Sequence, residues 1–257
     1  MTRLIRPILL VLILFTVATA SGYFGMRVGR TFALNQLCCN IPQRHNVVIS
    51  VRERLGLVEF PSQIGQDRWV AEKVFPGVTN GYFLDVGSAD GFVNSNTWAL
   101  EKRGWTGICV DPFPTNIAAR TCQVFRDAVD AEGGRKVKFA KAGEIGGITT
   151  YLDRWKNDAN SASTVELTTV TLAEILRRAN APSFIHFLSL DIEGAELEAL
   201  QGFPFDQYKL GALAIEHNYE EPKRSRIEQL LVSKGYARER TWMQDDFYVP
   251  ASRPPSR

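Results

Sequence analysis

Three carboxylates on a glycine frame give the first chemical signal in this chain. Asp85 lies in the apolar run Tyr82–Val86, Asp90 sits in the turn that follows, and Asp111 ends a second apolar run, Thr106–Val110, 26 residues after Asp85. Gly87 and Gly91 remove two Cβ atoms from the turn, so its backbone can approach a ligand or take positive φ. A dinucleotide site would space its glycines as GxGxxG and set a pyrophosphate on a helix N-terminus. Here the spacing is Gly87-x-x-x-Gly91 and the loop is acidic. Two carboxylates repel a pyrophosphate. They suit a ligand carrying a sulfonium, an ammonium group and ribose hydroxyls, which describes S-adenosylmethionine. Asp111 is placed to accept hydrogen bonds from a ribose. The plainer reading of each acid is a turn former or helix cap.

These residues must be held by a β-α-β unit. Asn94, Ser95 and Asn96 are good N-cap residues, and Thr97–Lys102 continues as helix between the two strands. Such a unit favours parallel pairing with the helix as crossover. Ligands of open α/β sheets sit beyond the carboxyl ends of the strands, so Asp85, Asp90 and Asp111 fall at one rim. A third strand is expected at Cys122–Arg126; Asp127 and Ala128 follow it, where a carboxylate could accept from an adenine amino group. Lys136–Ala140 and Ile148–Leu152 read as a hairpin or inserted excursion, and 157–164 as a loop.

Thr171-Leu-Ala-Glu174 is a capping box opening a helix with Leu172, Ile175, Leu176 and Ala179 on one face. Phe184–Leu190 is an apolar strand that ends at Asp191. A turn and a helix to Gln201 follow, stopped by Gly202. Leu210–Ile215 is a further strand, ending at Glu216 and His217. Ser225–Lys234 reads as helix, with terminal strands at Tyr236–Arg240 and Phe247–Val249. Two more polar clusters thus join the rim, Asp191/Glu193/Glu196 and Glu216/His217. The dipole of the helix start accounts for Glu196, but poorly for an acid ending so apolar a strand as the one before Asp191. His186 reads as a satisfied core histidine.

The chain has 257 residues and a net charge of +2, enough for one sizeable core and without the basic surface of a nucleic-acid binder. Arg177, Arg178, Arg224 and Arg226 read as scattered and solvated. Residues 7–26 contain no charge and are flanked by Arg3, Arg6, Arg27 and Arg30. A run of that length crosses a bilayer; Ala18-Thr19-Ala20 also offers a signal-peptide cleavage site, which would make the product secreted. The expected organisation is an anchor or signal peptide over 1–30, a linker over 31–61, a domain over 62–250 and a disordered tail over 251–257. Of the four cysteines, Cys109 and Cys122 read as buried free thiols, and Cys38-Cys39 follow the apolar run; no disulfide framework is apparent.

Together these blocks resemble the FkbM family of methyltransferases: SQIGQDRWV at 62–70, FLDVGSADG at 83–91, VDPFP at 110–114, FLSLDIEGAELEALQGF at 187–203 and IEHNYE at 215–220. The resemblance implies a Rossmann-like class I methyltransferase fold. That is a mostly parallel seven-stranded sheet with helices on both faces, here preceded by an N-terminal transmembrane helix. It implies O-methylation of a hydroxyl on a sugar, glycan or related metabolite, with S-adenosylmethionine as donor. Asp85, Gly87, Ser88, Asp90 and Gly91 would form the cofactor loop, Asp111 would hold the ribose, and Asp127-Ala128 would lie by the adenine. Asp191 and Glu193 would face the transfer site. Asp191 is the first candidate base or partner of a metal-bridged hydroxyl, with His217 second. Hard oxygen ligands suit magnesium, so a divalent ion on Asp191, Glu193 and Glu216 is a further option. Because the donor is made in the cytosol, the catalytic domain is expected there. The rival readings are a catalytically inactive module of the same fold at the membrane and a nucleotide-dependent oxidoreductase.

Overall fold

The structure is a computed structural model that describes residues 59–253, apart from 153, 155, 160 and 161. Among these residues no helix is long and apolar enough to cross a membrane. The apolar run 7–26 and Cys38-Cys39 lie outside the described residues.

Seven strands form the central sheet: β1 Tyr82–Val86, β2 Thr106–Val110, β3 Gln123–Phe125, β7 Phe184–Leu190, β8 Lys209–Glu216, β9 Tyr236–Trp242 and β10 Asp245–Pro250. Their spatial order is β3-β2-β1-β7-β8-β10-β9. The first five are parallel, and β10 runs antiparallel to both β8 and β9. The parallel centre follows from sequence: β1, β2, β7 and β8 are near-continuous apolar runs, as strands buried on both faces must be.

Side chains alternate between two cores. On one face Leu84, Val86, Leu188, Leu190, Leu213 and Ile215 pack against α4 (Leu172–Arg178), α5 (Glu196–Gln201) and α6 (Lys223–Ser233). On the other, Phe83, Phe187, Ala214 and Phe247 meet Trp69, Val70 and Val74. Those three come from α1 (Gln66–Trp69) and the π-helical turn Val70–Val74 that continues it. The short α2 (Trp98–Glu101) adds Leu100 to this second core. Helices therefore cover both faces. The capping box closes as expected, with the Glu174 amide donating to Thr171 Oγ1 at 3.1 Å.

A second, three-stranded sheet of order β4-β6-β5 combines β4 (Ala128–Val129), β5 (Lys136–Ala140) and β6 (Thr164–Val170). The expected strand at Ile148–Leu152 is not formed: only a single bridge joins Phe139 to Ile148, and Thr149–Tyr151 turns. β5 pairs with β6 instead. The tail is held through Arg253, whose Nη2 donates to the carbonyls of Lys73 and Val74, so order extends past the expected boundary at 251.

Cys109 and Cys122 are not free thiols: they form a disulfide, with Cα atoms 5.9 Å apart. Cys109 lies in β2, and Cys122 immediately precedes β3, the strand paired with β2. Parallel neighbours bring the two within bonding range, which a sequence separation of 13 does not advertise. Closing a loop of this size is worth about 3 kcal/mol through the unfolded chain. Peptide mapping of unreduced protein is expected to recover Cys109 and Cys122 as one linked pair. Quantitative labelling of both by a thiol reagent in denaturant alone would contradict this.

Candidate active site

Strand register lines up the polar residues of the rim. Val86 pairs with Val110 and with Leu190, Leu190 with Ile215, Glu216 with Asp245, and Asp245 with Trp242. One residue past the first three pairs, the chain places Asp111, Gly87 and Asp191 beside Glu216. A single row thus crosses the sheet: Asp111, Gly87, Asp191, Glu216, Asp245, Trp242.

Beneath the first half of this row lies a cleft of about 480 Å³, its open mouth included, walled by Gly87, Asp111, Pro112, Asp127, Ala128 and Asp191 among others. Val129, Phe139 and Ile148 supply apolar wall, and Glu144 a further carboxylate. The excursion between β4 and β6 therefore closes the cleft, a contribution sequence reading left undefined.

Gly87 has φ +91°, and a Cβ there would stand 1.6 Å from the Asp191 carbonyl oxygen. The two loops touch backbone to backbone, as only glycine allows. Asp111 is aimed by two backbone donors: the Ala89 amide at 3.0 Å to Oδ2 and the Phe113 amide at 2.7 Å to Oδ1. Burial raises its carboxyl above the usual range despite these bonds. Asp127 accepts from Arg178 Nη1 at 2.8 Å, so that arginine is paired while still exposed to solvent, as expected.

Four residues expected to touch the cofactor do not line the cleft. Asp85 is 3% exposed and accepts from Thr97 Oγ1 beneath the loop. Burial pushes its carboxyl up to about 6, against the pull of Arg120 and Thr97. Asp90 folds the loop on itself: Oδ1 accepts the Phe92 and Val93 amides, and Oδ2 accepts from Thr115 and Asn116. Burial opposes those bonds but loses, and the carboxyl is held below its usual range. Gly91 packs against Asn116 and Arg120, and Ser88 is buried at 6% exposure.

The second half of the row is a carboxylate cluster. Ligand-capable oxygens of Asp191, Glu193 and Glu216 all lie within 4.8 Å of one another. Asn218 Nδ2 donates to Glu216 at 2.7 Å and to Glu193 at 3.3 Å. Asp245 joins them and is held by Gln66 Nε2 at 2.9 Å. Burial first, then neighbouring carboxylates, raises Asp191 to about 7, Asp245 to about 8, and Glu216 well above its usual value. Glu193 and Gly194 both take positive φ, 55° and 120°, a strained turn of the kind found at functional sites. Glu196 holds that turn: its Oε1 accepts the Ile192 and Gly194 amides at 3.0 Å each, and Oε2 pairs with Lys223 at 3.0 Å.

His217 stands apart from this cluster. Its Nδ1 accepts the Tyr219 amide at 2.9 Å, and its Nε2 lies 3.7 Å from Asp246, which Arg224 clamps with two bonds of 2.7 Å. At 1% exposure it is neutral, burial lowering it to about 4 against the pull of Asp246. Both its nitrogens face protein, and Arg224 is paired with Asp246 and largely covered rather than solvated.

The residues sequence reasoning missed are Gln66, Asp245, Asn218, Glu144 and Lys223. Gln66 and Asn218 carried a signal, inside the blocks at 62–70 and 215–220. Asp245 is 179 positions from Gln66, and its strand end offered no periodic cue. With this geometry stands one comparison: the family described as Methyltransferase FkbM domain matches residues 85–238. No curated protein matches the chain.

Proposed function

Because the chain belongs to the FkbM methyltransferase family, we propose that it is an S-adenosylmethionine-dependent O-methyltransferase acting on a hydroxyl of a sugar, glycan or related metabolite. The observation that carries this reading is the position of Asp191. It walls the same cleft as Gly87 and Asp111, with a carboxyl raised to about 7. The residues present fit the donor. At the cleft wall the Gly87 backbone meets that of Asp191 where no Cβ fits, and the acids lining the cleft favour a cation over a pyrophosphate.

When bound, the donor supplies an electrophilic methyl on a sulfonium. Asp111 would hold the ribose through the lone pairs its two amide donors leave open, and Asp127 with Ala128 would border the adenine. Gly87 lets the backbone close on the ligand, which fixes reacting atoms in line. Asp191 would take the proton of the attacking hydroxyl, a role suited to a carboxyl poised near neutrality. Glu216, its carboxyl raised by burial and by Asp191, and Asn218 would keep that base in place. His217, sealed between Tyr219 and Asp246, has no such part.

A second reading rests on the mutual approach of Asp191, Glu193 and Glu216. Three such oxygens also suit a divalent cation, which would relieve their repulsion and orient the acceptor hydroxyl. As for place, the uncharged run 7–26 between its flanking arginines supports a membrane tether. The Cys109–Cys122 bridge supports an oxidising compartment for the domain, in place of the cytosol expected from donor synthesis.

Calorimetry with S-adenosylhomocysteine is expected to show one site, and methyl-labelled donor is expected to label a member of a panel of neutral oligosaccharides. Binding of NAD in preference would sink the donor assignment. Binding without transfer to any acceptor would favour an inactive module. Transfer unchanged by a chelator would remove the metal.

A further inference from the structure

Resting on that cofactor reading, the geometry points to Arg120 as a positioning residue of the cofactor loop, with the Cys109–Cys122 disulfide as its anchor. Arg120 follows the 3-10 turn Ile117–Ala119, and its side chain is 0% exposed. The guanidinium makes four bonds. Nε donates to Glu101 Oε2 at 2.9 Å, Nη1 to the Gly91 carbonyl at 3.0 Å and to Ser95 Oγ at 3.1 Å, and Nη2 to Thr97 Oγ1 at 2.8 Å. Thr97 Oγ1 in turn donates to Asp85 at the end of β1. One side chain therefore touches the far end of the glycine loop, the turn that opens α2 and, through Thr97, the strand that starts the loop.

The contact is also steric. A Cβ at Gly91 would lie 3.1 Å from Arg120 Cγ, so the loop backbone rests on the arginine stem. Neither a lysine nor a neutral side chain reproduces this planar fork of donors. The buried charge is balanced by Glu101, which is itself engaged: Oε1 accepts the Cys122 amide at 2.9 Å and Oε2 the Thr121 amide at 3.3 Å. Residues 120–122 are thus fastened to α2 through Glu101 and covalently to β2 through Cys122. Cys109 is 0% and Cys122 7% exposed, so the bond is a built-in fastening, out of reach of a bulky reductant while the domain is folded.

Arg120, Glu101, Cys109 and Cys122 do not wall the cleft. Their loss costs general stability but should leave the domain folded well below its melting point, and there it should loosen the loop and lower cofactor affinity. The test is calorimetry with S-adenosylhomocysteine on the full chain, at a temperature well below each variant's melting point. Three variants are compared: Arg120→Lys, the charge-balanced pair Arg120→Met with Glu101→Gln, and Cys109→Ala with Cys122→Ala. Each is expected to weaken binding tenfold or more, and hydrogen exchange is expected to rise over 87–97 while the strands β7 and β8 stay protected. Wild-type affinity in any folded Arg120 variant overturns the role of Arg120. Wild-type affinity in the cysteine pair overturns the role of the disulfide. Exchange raised evenly across the domain, or unfolding of all three, shows a general stabilising role and overturns the proposal as well. If the unaltered protein fails to bind S-adenosylhomocysteine, it is the cofactor reading that falls instead.

Discussion

Gly87→Ala is expected to abolish binding of S-adenosylhomocysteine while leaving a folded domain. The added Cβ would stand 1.6 Å from the Asp191 carbonyl oxygen and 2.7 Å from its carbon. Both are backbone atoms at the end of a central strand, so neither can swing aside as a side-chain tip would. The φ of +91° adds strain for any L side chain. The glycine loop must then withdraw from Asp191 by an ångström or more, which opens the wall of the cleft. A displacement of that size costs on the order of 100-fold in rate even where binding survives. Calorimetry beside a thermal melt decides the matter: near-normal affinity in a folded Gly87→Ala protein would show that Gly87 does not form the cofactor wall.

Asp191→Asn is expected to cut methyl transfer by roughly 10²- to 10⁴-fold, the usual worth of a positioned base, with affinity for S-adenosylhomocysteine changed only a few-fold. The pH profile supplies a sharper signature. Burial and the surrounding acids raise the Asp191 carboxyl to about 7. A base works only when deprotonated, so kcat/KM of the unaltered enzyme should rise with pH through about 7 and level off above it. In the asparagine variant that acid limb should vanish. A variant with full activity, or one that keeps the limb, would exclude Asp191 as the base.

Most of the central sheet was legible in the sequence, because its strands are apolar runs closed by glycine or an acid. β1, β2 and β7 fall where Tyr82–Val86, Thr106–Val110 and Phe184–Leu190 predict them. The excursion was legible only in part: β5 falls at Lys136–Ala140 as expected, but its partner β6 lies more than twenty residues on, past a stretch read as loop, so nothing local joins the two. The disulfide was hidden in the same way, since only the β2–β3 pairing brings its cysteines together. The candidate site divides along this line. Asp111 and Asp191 end apolar strands and were found. Asp85, inside a strand, and Asp90, in the turn, were also expected at the cofactor, yet Asp85 accepts from Thr97 and Asp90 from Phe92, Val93, Thr115 and Asn116, because which way such a carboxylate points depends on donors that sequence does not show. Asp245 and Gln66 meet only through tertiary packing.

The row of residues along the sheet rim has a kinetic consequence for the proposed reaction. Asp111 and Gly87 lie to one side of Asp191, and Glu216 and Asp245 to the other, with neighbouring strands about 4.8 Å apart. If the donor occupies the cleft on the Asp111 side, an acceptor reaching Asp191 from the other side would not need the donor's space. Such a layout calls for a ternary complex and direct transfer, with no methylated enzyme in between and no obligatory order of arrival. Trp242 ends the row on the acceptor side, more than half exposed, at the edge from which a bulky acceptor has open access.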